Sequence, residues 1–179
     1  MSAPNVQTVR DALSRLELLV VSDFFLSETA KAADIVLPVL QWAEEEGTMT
    51  NLEGRVLRRR RAVDAPAGAR SELWIMAELA RRLDAPGAWS LDPSEVFDEL
   101  ARASAGGRAD YSVLSHALLD MGIEAHWPFP IGSLGTPRLF ADRFAHADGR
   151  AQLVAVRARS HPAASADRLN LVTGRLLEQ

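Results

Sequence analysis

Asp23 and Ser27 are the first residues of this chain whose types and spacing suit a ligand. Asp23 follows an apolar run, Leu18 to Val21, that is typical of a strand buried on both faces. In open α/β sheets, ligands bind in the crevice outside the carboxyl ends of the strands. Ser27 can cap a short helix whose N-terminus favours phosphate or another anion. The alternative, that both residues only shape a turn and a helix cap, stays open.

A second polar segment, Glu44 to Arg55, combines carboxylates, threonines, an asparagine and two glycines. Gly47 can let the backbone approach a ligand closely, because glycine has no side chain. Asn51 can present both a hydrogen-bond donor and an acceptor to the ring of a bound base. The alternative is a solvated loop without a ligand. Weak hydrophobic periodicity predicts a loop with at most one strand from Glu44 to Arg61.

No other cluster in the sequence has the spacing of a catalytic or metal site. The run of four arginines, Arg58 to Arg61, could bind phosphate. Without interleaved aromatic residues, however, the run indicates a solvated face and no nucleic-acid partner. The four histidines are scattered without metal-ligand spacing, and no serine–histidine–acid set or GxxxxGKS pattern occurs. We therefore expect no catalytic residue and no metal ligand in this chain.

The sequence pattern predicts the elements that would position the first two candidates. Asn5 is the expected N-cap of a helix from Val6 to Leu16, and the run Leu18 to Val21 forms the first strand. A short helix, Glu28 to Ala33, and a second buried strand, Ile35 to Leu37, follow. Strand, helix and strand in this order imply a parallel pair with a right-handed crossover.

Two amphipathic helices are predicted in the middle of the chain. The first begins after its cap Ser71 and ends at Leu83, and the second begins at Asp92 and Pro93 and ends near Ala103. The expected buried stripe of the first helix consists of Leu73, Met76, Leu79, Ala80 and Leu83.

The rest of the chain, from residue 104 onward, carries weaker signals. Residues 104–137 are rich in glycine and proline and are expected to run over the surface. Arg138 to Phe144 and Ala151 to Val156 are expected to form a hairpin around Asp148 and Gly149. A new strand begins at Leu169, close to the end of the chain, which suggests a truncated polypeptide.

The composition is that of a globular protein. The 179 residues carry a net charge of -4 and are 47% hydrophobic, so neither nucleic acid nor an anionic membrane is required as a partner. No apolar run approaches the ~20 residues that span a bilayer, and the N-terminus lacks a secretory signal pattern. We therefore expect a soluble, cytoplasmic protein. The fold class is α/β: part of a doubly wound domain with parallel strands, helices and a small hairpin appendage, truncated at both ends.

Residues 19–61 carry the most specific pattern. They contain Ser-x-Thr-Ala-x-x-Ala-Asp-Ile-Val-Leu-Pro (Ser27 to Pro38), an acidic residue at Glu44, and Glu-Gly-Thr-x-x-Asn-x-Glu-x-Arg (Glu46 to Arg55). This segment resembles a signature of bacterial molybdopterin oxidoreductases, the class of formate dehydrogenases and of periplasmic or assimilatory nitrate reductases. Further landmarks occur in family order, including Trp-Pro-Phe-Pro from Trp127 and Leu-Val-Thr-Gly-Arg from Leu171.

The chain departs from the family pattern in two ways. Leu40 and Gln41 stand where the signature usually has small residues, which suggests divergence at a packing position. The chain also has no cysteine, whereas family members begin with a cysteine-rich iron–sulfur segment and many place cysteine or selenocysteine on the metal. The resemblance therefore implies an internal fragment. Residues 1–159 would be the C-terminal part of the molybdopterin oxidoreductase domain, 160–168 a linker, and 169–179 the start of the molybdopterin dinucleotide-binding domain.

The resemblance also implies a cofactor, bis-molybdopterin guanine dinucleotide with molybdenum, and a 4Fe-4S cluster in an N-terminal part that precedes this chain. The nucleotide part of one cofactor half would be contacted by Asp23 and Ser27. The same ligand would be approached by Gly47 and Asn51 from the following segment. The contacts of the last domain would begin at Thr173, Gly174 and Arg175.

The expected activity of the whole enzyme is nitrate reduction, because the Asn-x-Glu-x-Arg segment and Gly-Thr-Pro-Arg-Leu-Phe from Gly135 most resemble assimilatory nitrate reductases. A formate dehydrogenase-like subunit is the alternative. A non-catalytic remnant, a nucleotide-binding module and a structural domain without ligand also stay open. The expected partners are the remainder of the same enzyme and an electron-donor protein, with no nucleic acid and no membrane. By itself the chain is expected to be inactive.

Overall fold

The computed structural model describes residues 5–157, and the chain divides into two compact units, Met1–Leu139 and Phe140–Gln179. The first unit contains every helix and strand of the described residues. In chain order these are α1 (Val6–Leu13), β1 (Val20–Asp23), a 3-10 turn (Ala30–Ala32), β2 (Ile35–Pro38), β3 (Gly47–Thr50), β4 (Arg55–Arg59), α2 (Glu72–Arg82), α3 (Pro93–Ser104), α4 (His116–Asp120) and β5 (Ala125–His126). Helices combined with a parallel strand pair confirm the α/β class. No helix among the described residues is long and apolar enough to cross a bilayer.

The first sheet consists of β1 and β2, which are parallel, as the sequence predicts. Val20 lies opposite Ile35, and Asp23 lies opposite Pro38. The expected burial of both faces is wrong for these residues, since Val20 and Ile35 are each 46% exposed. Only two strands pair in this sheet within the described residues.

The two helices predicted around this sheet are shorter than expected. α1 ends at Leu13, not at Leu16, and Asn5 does not cap it, because Asn5 is left-handed (φ 51°) and its side chain makes no capping bond. The helix predicted from Glu28 to Ala33 is reduced to the 3-10 turn. Its expected cap is present, since the Ala30 amide donates to Ser27 Oγ at 3.2 Å.

The second sheet corrects the prediction of a loop from Glu44 to Arg61. β3 and β4 form an antiparallel hairpin, and the short β5 pairs with the other edge of β4. The sequence pattern concealed these strands because β4 carries arginines instead of alternating apolar residues. The positive charges of these arginines are balanced by Glu45 and Glu46, which directly precede β3, and by Asp120 of α4.

The caps of α2 and α3 are as predicted. Ser71 Oγ accepts a hydrogen bond from the Trp74 amide at 3.1 Å, and Asp92 Oδ1 accepts one from the Ser94 amide at 2.8 Å. The predicted buried stripe of α2 is wrong except at Ala80. Ile75 and Ala80 are the buried residues of this helix, while most of the expected stripe is exposed.

The core of the first unit forms around β4, α3, α4 and β5. Its buried members are Val56, Phe97, Leu114, Leu119, Ala125 and Phe129. Four of these six lie between residues 104 and 137, so the expectation that this segment runs over the surface is wrong. Asp110 shows why the segment can be buried: its carboxylate accepts hydrogen bonds from the Gly106 and Ser112 amides, at 2.7 Å each. Buried polar groups satisfied in this way cost little.

The described part of the second unit, residues 140–157, contains no strand, so the predicted hairpin of Arg138–Phe144 with Ala151–Val156 is wrong. A turn stands at its expected centre: the Phe144 amide donates to the Gly149 carbonyl at 2.9 Å. The rings of Phe140 and Phe144 stack at 5.4 Å. The predicted linker and final strand lie outside the described residues.

Candidate functional site

Asp23 and Ser27 lie at either end of one turn that follows β1. Asp23 is the last residue of the strand, and its Oδ1 accepts a hydrogen bond from the Phe24 amide at 2.9 Å. Ser27 Oγ accepts the bond from Ala30. Among the described residues, neither Asp23 Oδ2 nor the Ser27 hydroxyl proton has a recorded partner. Both residues therefore shape the local backbone and still keep one polar group for a ligand.

Three exposed apolar residues lie between them. Phe24, Phe25 and Leu26 are each about 60% exposed, and the two rings meet edge to face at 4.9 Å. Consecutive large apolar side chains on a surface mark a place where another surface or a ligand packs. The Asp23–Ser27 turn thus combines a carboxylate oxygen, a hydroxyl donor and an apolar patch.

The helix dipole adds nothing to this turn. The expectation of an anion site at Ser27 depended on a helix N-terminus, but the 3-10 turn that follows has three residues. The dipole of a helix arises from several aligned peptide units, so a single turn provides almost none. Any ligand at Ser27 has to be held by the hydroxyl group itself.

Asn51 lies at the tip of the β3–β4 hairpin. Its side-chain Oδ1 accepts hydrogen bonds from the Glu53 and Arg55 amides, each at 3.0 Å. Its backbone amide donates to the Arg55 carbonyl, and its backbone carbonyl accepts from the Gly54 amide, also at 3.0 Å each. Asn51 therefore organises the tip from its inner side. The expectation of a solvated, irregular loop is replaced by a tightly hydrogen-bonded turn.

The tip is attached to a distant part of the chain through Gly54. The Trp127 amide donates to the Gly54 carbonyl at 2.7 Å. Gly54 has a φ of 81°, a backbone conformation that residues with a side chain rarely adopt. A Cβ at this position would also lie only 3.1 Å from the Trp127 carbonyl oxygen. The glycine is needed at this position because the two backbones approach so closely.

Gly47 lies at the opposite end of β3, roughly 13 Å from Asn51 at the usual strand rise. It is buried, and its carbonyl accepts a hydrogen bond from Arg58 at 3.1 Å. A Cβ at this position would meet Arg59 Nη2 at 3.6 Å, an ordinary contact distance. No hydrogen bond or ion pair recorded within residues 5–157 joins this hairpin's candidates to Asp23 or Ser27. The last three predicted site residues, Thr173, Gly174 and Arg175, lie outside the described residues.

The arginine run is wrongly interpreted as a solvated face at its first two positions. The Arg58 side chain is 12% exposed and lies 2.7 Å from Glu46 and 3.3 Å from Asp120. The Asp120 carboxylate also forms an ion pair with Arg60 at 2.8 Å. Arg59 forms an ion pair with the Glu45 carboxylate at 3.0 Å. The two pairs with Asp120 attach the hairpin to α4, and the pairs with Glu45 and Glu46 join β4 to the residues directly before β3. Since the arginines already have carboxylate partners, they are not a free phosphate site.

His116 is a buried residue whose environment the sequence does not indicate. It is 5% exposed, its ring lies 5.6 Å from that of Phe97, and its Nε2 has no recorded partner within the described residues. Burial and, second, the nearby Arg58 lower the pKa of His116, against the opposing effect of three carboxylates: Glu46, Asp120 and Asp92. No motif marks His116, because its environment is assembled from residues distant in the sequence. Within the described residues, no group of three or more histidine, aspartate and glutamate side chains has the geometry of a metal site.

Comparison of the sequence with known proteins identifies its relatives. Residues 1–82, which contain Asp23, Ser27, Gly47 and Asn51, match the molybdopterin oxidoreductase family. The chain is 44% identical over 155 residues to the assimilatory nitrate reductase catalytic subunit of Bacillus subtilis, an alignment that covers 86% of this chain and 22% of that protein.

Two formate dehydrogenases of Methanococcus maripaludis are similar to a comparable degree. The F420-dependent formate dehydrogenase 2 subunit alpha is 40% identical over 148 residues, with 81% of this chain and 21% of that subunit aligned. The F420-dependent formate dehydrogenase 1 subunit alpha is 33% identical over 183 residues, with 99% of this chain and 26% of that subunit aligned. The chain thus spans about a fifth to a quarter of the length of these relatives. On the match of its first 82 residues and on these alignments along nearly its whole length, the chain belongs to the molybdopterin oxidoreductase family.

Proposed function

We propose that this chain is a section of a molybdenum-dependent oxidoreductase and that its Asp23–Ser27 turn helps to bind molybdopterin guanine dinucleotide. The observation that carries this proposal is the pair of unused polar groups on that turn, Asp23 Oδ2 and the Ser27 hydroxyl. Both lie within the residues that match the family. The β3–β4 hairpin, with Gly47 and Asn51, provides the second part of the same binding surface.

The chemistry of the turn fits a guanine nucleotide. A carboxylate oxygen accepts hydrogen bonds from ring N–H and amino groups, and such charge-assisted bonds are the stronger kind. A hydroxyl can donate to a phosphate or carbonyl oxygen. Phe24 and Phe25 offer apolar faces against which a planar ring can pack. The bound cofactor would supply the two-electron chemistry, while the residues of this chain bind and orient it.

The exposed faces of the first sheet support a longer polypeptide. Parallel sheets are normally covered on both faces, yet Val20 and Ile35 in β1 and β2 are half exposed, as is Leu18 before them. The remainder of the same enzyme would cover these strands. We assign residues 1–159 to the C-terminal part of the molybdopterin oxidoreductase domain, 160–168 to a linker, and 169–179 to the start of the dinucleotide-binding domain, where Thr173, Gly174 and Arg175 would begin further cofactor contacts.

For the whole enzyme we propose nitrate reduction in the cytoplasm, with electrons arriving from a donor protein through a 4Fe-4S cluster outside this chain. The 44% identity to a nitrate reductase subunit supports this substrate. Formate oxidation is the second candidate, supported by the 40% identity to a formate dehydrogenase subunit.

The test is to purify the native gene product from its own cells and to measure its mass, molybdenum, iron and bound pterin. A product several-fold heavier than 19.5 kDa that carries both metals and pterin is the expected result. A native product of 19.5 kDa without either metal would instead identify a non-catalytic remnant and overturn the proposal.

The same purification tests Asp23 through Asp23→Asn. Asparagine can still accept the Phe24 amide but places a donor where Oδ2 was. We therefore expect a lower pterin content in the purified product, because losing a charge-assisted bond weakens binding about tenfold or more. Asp34→Asn is the matched control, because Asp34 Oδ2 accepts the Leu19 amide at 2.8 Å just before the other end of β1. Equal pterin content in both variants and the wild type would exclude Asp23 from the site.

A further inference from the structure

The side-chain oxygen of Asn51 has no remaining capacity to accept a bond from a ligand. A carbonyl oxygen has two lone pairs. In Asn51 both are used, by the amides of Glu53 and Arg55, each at 3.0 Å. The side chain is therefore an internal support for the turn. Within the described residues, the Nδ2 group is the part of Asn51 without a recorded partner.

The turn that Asn51 supports is fixed from outside as well. Gly54 accepts the Trp127 amide at 2.7 Å, and the next residue, Arg55, pairs with His126 of β5. The Gly54 position tolerates no side chain without displacing the Trp127 carbonyl. The hairpin tip is thus held between Asn51 on one side and the β5 segment on the other. Leu52 and Glu53, both exposed, are the residues that this fixed tip presents.

We infer that Asn51 is a positioning residue, which sets the place and shape of the β3–β4 tip instead of contacting the cofactor itself. This inference rests on the proposed function for the identity of the ligand. It differs from the expectation that Asn51 pairs with a ligand ring through both a donor and an acceptor, since the acceptor is occupied. The competing explanation is direct contact through Nδ2 alone.

Two variants of Asn51 separate these explanations in the native gene product. Asn51→Ala removes both the oxygen and Nδ2. The double variant Asn51→Asp with Glu17→Gln keeps an oxygen at the accepting position and removes Nδ2. It leaves the net charge unchanged, because Glu17 is exposed and lies outside the hairpin. The measurements are amide hydrogen exchange of peptides that span residues 51–57 and the pterin content of the same samples.

The inference predicts faster exchange and less pterin in Asn51→Ala. Losing one or two ordinary hydrogen bonds corresponds to exchange about fivefold to thirtyfold faster. The double variant should remain within about twofold of the wild type in both measurements. A third variant, Gly54→Ala, displaces the tip without touching Asn51, and it should lose pterin as Asn51→Ala does.

Three results would count against the inference. Unchanged exchange in Asn51→Ala would show that the side chain does not hold the tip. Normal exchange with loss of pterin in the double variant would show direct contact through Nδ2. A normal pterin content together with faster amide exchange in Asn51→Ala or Gly54→Ala would show that the shape of the tip does not affect binding of the ligand. A wild-type product without pterin would refute the proposed function, and the exchange data would still decide what Asn51 does.

Discussion

His116 shows how a single residue acquires its properties from distant parts of the chain. It begins the five-residue helix α4 and is buried against Phe97 of α3. The guanidinium of Arg58, on β4, disfavours a second positive charge nearby, and burial does so more strongly. Both effects lower the pKa of His116 below its usual value and so favour the neutral ring. The carboxylates of Glu46, Asp120 and Asp92 act in the opposite direction.

A lowered pKa of His116 makes the folded state sensitive to acid. The neutral ring's contribution is fully present above the unfolded pKa of 6.5 and is lost as the pH falls below it towards the lower folded value. We therefore expect the free energy of unfolding, measured in urea at a series of pH values, to fall below about pH 6.5.

His116→Gln should flatten this decrease, because glutamine does not titrate. His146→Gln, at an exposed position in the second unit, is the control and should keep the wild-type profile. An identical decrease in His116→Gln would assign the acid sensitivity to other groups, the carboxylates that face His116 first among them.

At the scale of elements, two helix caps are predictable from the sequence, although Asn5 is not a cap, and the hairpin held by distant contacts is not predictable. Ser71 and Asp92 are predictable as caps, since a cap depends on amides only two or three residues away. The β3–β4 hairpin is not, because Asp120, which pairs with Arg58, and β5 are both distant from it in the sequence. The buried face of α2 differs from the predicted stripe for a related reason, since burial depends on which neighbour packs against the helix.

The caps provide the prediction at this scale. Ser71→Ala and Asp92→Ala should each lower the free energy of unfolding by about 1 kcal/mol, because each leaves a helix amide without its acceptor. Urea denaturation of the purified chain measures this. Ser94→Ala is the matched control: only the backbone amide of Ser94 takes part in the cap of α3, so the change should be within about 0.5 kcal/mol. An equal loss in all three variants would point to a general effect of these positions.

For the whole molecule, the family resemblance was recoverable from residues 19–61, and the alignments extend it along nearly the full chain. The positions of Asp23 and Ser27 on one turn were also predictable, because strand and turn follow each other directly. The arrangement of the hairpin site was not. Asn51 looks like a ligand contact in the sequence, and only the distances from its oxygen to two backbone amides show that this oxygen is occupied.

The whole-molecule prediction is that the purified 179-residue chain turns over neither nitrate nor formate. The chain has no cysteine to hold an iron–sulfur cluster, and it spans about a fifth of the nitrate reductase subunit that it matches. Assays with a chemical electron donor or acceptor and added molybdenum cofactor test this. Turnover above the buffer background by the chain, absent in a heat-treated sample, would contradict it.

The pairing of β5 with β4 also determines an order of events during synthesis. The ribosome makes Arg55–Arg59 long before Ala125–His126, and at about 5–20 residues per second the interval lasts several seconds. Throughout that time the outer edge of β4 has no partner strand. Arg58 also has no ion pair with Asp120, and the Gly54 carbonyl accepts no hydrogen bond from the Trp127 amide. An open strand edge on a nascent chain can pair with another such edge. Because β5, Asp120 and Trp127 all contribute to holding the β3–β4 hairpin, the hairpin acquires its full set of contacts only after residue 127 has been made.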